Sequence, residues 1–127
     1  MDRTKIINTL GLVPDGAFAI SDMQMVEWGR DIVLTCDYRT VSMEGNPDDP
    51  ISFQIVFRDC REVKYRIYAH ISAHEEGHVS KFADIAELSL GKDGHRRDAN
   101  ILTTHFSVTI SYGKLNLEMN DKVYSLA

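Results

Sequence analysis

The spacing of apolar positions changes once along this chain, close to its N-terminus. Over Thr4 to Gly11, Ile6, Ile7 and Leu10 fall on one helical face and Gly11 can close the last turn, which predicts a short helix. From Gly16 onward the period is two. Phe18 and Ile20 alternate with small residues, and Val26 and Trp28 then lie opposite Ile32, Leu34, Cys36 and Tyr38 across Gly29-Arg30. Glycine at the first central position predicts a type II′ hairpin there, because that position requires a positive φ. Ile51, Phe53, Ile55 and Phe57 make the next apolar face, after a polar stretch in which Pro47 and Pro50 forbid regular pairing. Val63, Tyr65, Ile67, Ala69 and Ile71 then alternate with Lys64, Arg66, Tyr68 and His70, as a half-buried strand should.

The C-terminal third shows the alternation most clearly. Leu102, Phe106, Val108, Ile110 and Tyr112 face one way, against Thr103, His105, Ser107, Thr109 and Ser111. Gly113-Lys114 reads as a second II′-type turn into Leu115, Leu117 and Met119, and Asn120-Asp121 turns the chain into a last strand over 123–126. Together these predict an antiparallel meander with one wet face. The stretch 72–90 is ambiguous. Ser72-Ala73-His74-Glu75 matches a helix capping box, but Gly77 costs about 1 kcal/mol inside a helix. Phe82, Ala86, Leu88 and Leu90 share strand parity, so the expectation is a loop or short helical turn over 72–81 and a strand near 84–90. The predicted fold is mainly β, an antiparallel sandwich or partly closed barrel of about seven or eight strands with a short N-terminal helix. No repeat or linker divides the chain, so 1–127 reads as a single domain.

Composition narrows the function classes. With 14 basic against 19 acidic residues the net charge is −5, which argues against nucleic acid as a partner. No apolar run reaches the length of a membrane span. Cys36 and Cys60 form no disulfide framework, and two lone thiols fit a reducing, cytoplasmic setting.

Three candidate sites carry chemistry. His74-Glu75-Glu76-Gly77-His78 is a literal H-E-x-x-H, which on a helix puts two imidazoles on one face to grip zinc, with Glu75 as general base towards the metal-bound water. Over residues 74–84 the segment resembles the zincin metalloproteases. The resemblance implies zinc held by His74, His78 and Asp84, the last at the spacing of the extended pattern's third ligand. It departs from that pattern at Glu76, Ser80 and Lys81, the last replacing a glycine. His70, His74 and His78 repeat every four residues, but His70 falls on the polar face of a strand. The alternative to a metal site is a solvated, His-rich loop or helix face. Gly91-Lys92-Asp93-Gly94-His95-Arg96-Arg97 is the second candidate: Lys92, His95, Arg96 and Arg97 could cradle a phosphate or a partner's carboxylate, or simply keep a β-connection in water. The third is a basic stripe, Arg58, Arg61, Lys64 and Arg66, expected to pair with acids on a neighbouring strand.

The pattern therefore favours a non-enzymatic binding or interaction module, with no cofactor, for an unknown protein or small-molecule partner or for another copy of itself. A zinc-dependent hydrolase using 74–84 is the first alternative. A barrel holding a small apolar ligand among Phe18, Met23, Met25 and Phe53 is the second.

Overall fold

The computed structural model describes residues 2–40, 49–68, 82–91 and 96–126. The described chain is a helix followed by nine strands: α1 (Arg3–Leu10), β1 (Ala17–Val26), β2 (Asp31–Arg39), β3 (Ile51–Arg58), β4 (Glu62–Ile67), β5 (Ala83–Ser89), β6 (Arg97–Thr103), β7 (Phe106–Tyr112), β8 (Lys114–Met119) and β9 (Lys122–Ser125). They form one antiparallel sheet in the order β4-β7-β6-β5-β1-β2-β3-β8-β9, which does not close into a barrel. The architecture is the mainly β one that the alternation predicts.

The sheet folds over on itself at β1. Its first half, through Ile20, pairs with β2, and Ala19↔Asp84 and Ile20↔Ala83 pair it with β5 on the other side. A bulge at Ser21 then shifts the register, and Asp22 to Val26 continue along β2. Bulges bend a strand and increase its twist, which lets the two flanks of the sheet face each other. The inward sides of β2, β3 and β8 and of β5, β6 and β7 share one apolar core. Phe57 of β3 and Tyr112 of β7 meet across it edge to face, 5.1 Å between centroids. The helix buries Ile6 and Leu10 in the same core and packs against β8. Gly11 closes it in the left-handed region: its N–H reaches the Asn8 carbonyl at 3.4 Å and the Leu12 N–H returns 2.9 Å to the Ile7 carbonyl. At its other end Asp2 is tied to β5: its N–H donates to the Leu88 carbonyl and its carboxylate accepts the Leu90 N–H. The helix thus bridges the two flanks.

Four local expectations are corrected. The β1–β2 connection is not a two-residue turn at Gly29-Arg30: Val26 opposes Asp31, and Glu27, Trp28, Gly29 and Arg30 form the loop. Residues 102–112 are not one strand, because the chain reverses at Thr104-His105, and this supplies the ninth strand. The reason is Thr103. Its hydroxyl donates to the Phe106 carbonyl and accepts the N–H groups of His105 and Phe106, so a polar residue is 3% exposed and Ile101, not Leu102, faces the core. Gly113-Lys114 does not make a hairpin either, since β7 pairs with β4 and β6 whereas β8 pairs with β3 and β9. The C-terminal meander is therefore two hairpins in different flanks. A second bulge, between Ile85 and Glu87, turns Ala86 outward and Leu88 inward in β5. Asn120 and Asp121, both at positive φ, do form the tight turn predicted between β8 and β9.

Candidate functional site

The β1–β2 loop is the most unusual local structure among the described residues. Glu27, Trp28 and Gly29 all have positive φ, at 53°, 62° and 90°. A left-handed tryptophan costs of order 1–3 kcal/mol and needs its surroundings to hold it there. The loop is closed by the Arg30 N–H on the Glu27 carbonyl at 3.2 Å, and anchored by the Cys60 N–H on the Arg30 carbonyl at 2.8 Å. The result is a tryptophan, the only one in the chain, that is fully exposed at the tip, with Met25 and Val26 exposed beside it. The strict alternation assigned Trp28 to a strand face and missed this. The signal available in the sequence was Glu-Trp-Gly-Arg itself, a turn-forming glycine directly after a residue that β2 has no position to receive.

The predicted anion loop is only partly among the described residues, since Lys92 and His95 lie outside them. Arg96 is committed to the fold. Its guanidinium donates to the Asp59 carboxylate at 3.0 Å, to the Asp59 carbonyl at 2.7 Å and to the Ser111 carbonyl at 3.2 Å. It clamps the β3–β4 turn, where Asp59 is left-handed, to the end of β7. Arg97 opens β6 opposite Tyr112.

His74, Glu75 and His78 lie outside the described residues, as does the expected turn over 72–81. Asp84, the third ligand implied by the zincin resemblance, is on β5 opposite Ala19 with its side chain outward, and its N–H donates to the Thr104 hydroxyl at 3.1 Å. Among the described residues no group of three or more His, Cys, Asp or Glu could hold a metal ion.

The basic stripe is distributed over two strands. Arg58 ends β3 and pairs with Asp31 at 3.3 Å; Lys64 and Arg66 stand on the outer face of β4, Lys64 beside Glu62 at 3.3 Å on its own strand. The neighbouring strand offers no acids: Ser111, Thr109 and Ser107 stand opposite Glu62, Lys64 and Arg66. Of the suggested ligand-barrel residues, Phe18 and Phe53 pack edge to face in the core at 5.8 Å, and Met25 is exposed. Met23 lines an open depression of about 340 Å³ between β1 and β4, with Tyr65, His105 and Phe106. A larger one, about 590 Å³, lies over β5, β6 and β7 and is floored by polar side chains such as Asn100 and Thr109, which bond each other at 2.8 Å. No described helix is long and apolar enough to cross a membrane.

No protein-family model matches the chain, and no curated protein matches it. A solved structure does: the crystal structure of an uncharacterized protein from Neisseria gonorrhoeae, at a TM-score of 0.58 and 16% identity, over 82% of this chain and 92% of that one. What this chain shares with that protein is a fold.

Proposed function

We propose that this protein is a non-enzymatic binding module that docks a protein partner on the β1–β2 loop. The observation that carries the reading is Trp28, held in solvent by a left-handed backbone. Strain of this kind persists where the surrounding structure enforces it and concentrates at sites of function. Tryptophan is the residue most enriched among those that dominate interface energies, because it supplies a large contact area at little conformational cost. Met25 and Val26 extend the apolar contact, while Glu27 and Arg30 supply a charged rim of both signs. Such a loop suits a mixed protein surface better than a polyanion. The protein works without a cofactor in this reading, and the two buried thiols suit a cytoplasmic protein.

A photo-crosslinking residue at position 28, compared with one at position 122 on the far edge of the sheet, tests the site in living cells. One discrete adduct at 28 that is absent at 122 is the expected result. Equal labelling at both positions, or none at 28, would overturn the docking site. One zinc per purified chain, lost in His74→Ala, would instead replace the module reading with the metal one.

A further inference from the structure

We infer that β4 is a self-association edge, at which a second copy of this chain pairs antiparallel across a two-fold axis through Lys64. β4 ends the nine-stranded sheet, and no described residue pairs with its outer side. On its inner side the Tyr68 N–H donates to the His105 carbonyl at 3.1 Å, in the same register that opposes Arg66 to Ser107 and Lys64 to Thr109. Antiparallel ladders alternate bonded and non-bonded pairs, so the even-numbered residues bond to β7. The N–H and carbonyl groups of Val63, Tyr65 and Ile67 then point away from the sheet.

Exposed edges are normally blunted by brevity, proline, a bulge or an inward-pointing charge. β9, at the other end, has only four residues and begins with Lys122. β4 carries charge only on its outer face, at Glu62, Lys64 and Arg66, and has neither a proline nor a break in register. It runs six residues in unbroken register, and its core-side positions are Val63, Tyr65 and Ile67, of which Tyr65 is 44% and Ile67 69% exposed.

The charges select the occupant and the register. An axis through Lys64 sets Glu62 of each copy opposite Arg66 of the other, and Val63 opposite Tyr65. Its one conflict is Lys64 facing itself, and each Lys64 keeps Glu62 of its own strand at 3.3 Å. An axis through Tyr65 sets Lys64 opposite Arg66 on both sides, with no attraction to offset it. An axis through Val63 pairs Glu62 with Lys64 but leaves Ile67 uncovered. Arg66 has no ion-pair partner among the described residues, and the second copy supplies one. A single-strand interface buries little area, so the dimer is weak and concentration-dependent.

Opposed residues at non-bonded positions have Cα atoms about 4.5 Å apart, within disulfide reach. Mild oxidation of Lys64→Cys should give a covalent dimer of twice the 14.4 kDa chain, and Tyr65→Cys should not. In sedimentation velocity, Arg66→Glu should raise the dimer dissociation constant about tenfold, and the double variant Glu62→Arg/Arg66→Glu should restore it. Circular dichroism checks that each variant is folded. A chain that stays monomeric at high micromolar concentration would overturn the edge, as would a dimer indifferent to Arg66→Glu. Crosslinking of Tyr65→Cys as readily as Lys64→Cys would overturn the register.

Discussion

Single polar groups redirect this chain where its apolar pattern gives no warning. Thr103 ends β6 by using its hydroxyl on His105 and Phe106, and Tyr38 holds the approach to β1. The Tyr38 ring is buried, its hydroxyl donates to the Val13 carbonyl and accepts the Gly16 N–H at 2.8 Å, and a Cβ on Gly16 would sit 2.3 Å from the ring. The two thiols act at the same scale. Burial, and next the Asp31 carboxylate, push Cys60 from an ordinary value of 9.0 up to about 11. Burial, then Asp37, raise Cys36 as well. A thiol whose value is raised on folding favours the folded state fully below its unfolded value, and that contribution is lost as pH climbs towards the folded one. Stability should therefore fall between pH 9 and about 11, and Cys60→Ala should flatten that slope while leaving the behaviour below pH 8 alone. Urea midpoints measured across this window decide it; an unchanged slope in Cys60→Ala would show that other groups carry the alkaline loss.

At the level of elements, the joint between the flanks rests on a short corner. The chain crosses from β3 to β4 at Asp59-Cys60-Arg61 and from β7 to β8 at Gly113, and the two crossings touch. The Gly113 N–H donates to the Arg58 carbonyl at 3.0 Å, and the Arg61 N–H donates to the Ser111 carbonyl at 3.0 Å. A Cβ on Gly113 would lie 2.7 Å from the Asp59 carboxylate that Arg96 grips. Glycine is needed there for closeness of approach. Arg96→Ala should cost about 1–2 kcal/mol, chiefly through the two carbonyls it serves, because the carboxylate itself is largely solvated. Gly113→Ala should cost a similar amount by displacing that carboxylate, and the double variant should cost clearly less than the sum. Additive losses in thermal or urea melts would mean that the two positions do not share the corner.

Over the whole molecule, the ladder between the flanks is slight and the core between them is not. β1 and β5 share two residue pairs, whereas both flanks send large side chains into one cluster. The flanks should consequently unfold together. Phe57→Ala, on one side of the ring contact with Tyr112, should cost about 3–5 kcal/mol, a large share of the stability of a domain this size. Amide exchange should then speed up to the same extent in β2 and in β6. Protection retained in β5, β6 and β7 alone would show that the flanks are separate folding units.

Strand identity was legible in the sequence wherever one face is buried, because the period-two alternation of Ile32, Leu34, Cys36 and Tyr38, or of Phe106 to Tyr112, is a direct imprint of a sheet with a dry side. The helix was legible for the same reason at period 3.6, with Gly11 marking its end. Alternation says nothing about partners, however. Residues of different elements can carry the same parity, so Trp28 was drawn into a strand that stops at Val26, and Leu102 of β6 was drawn into β7. The Trp28 loop was missed, and the predicted anion loop was half legible. Arg96 was conspicuous as a cation, but its role depends on Asp59 and Ser111, which are distant in sequence and meet only when β3 and β7 are brought to one corner. Local period is set by each residue's own neighbours, so the sequence determined the elements. Strand order, the bulge at Ser21 that folds the sheet, the exposure of Trp28 and the place of β4 at the end of the described sheet depend on which segments come together, and only the tertiary structure decided them.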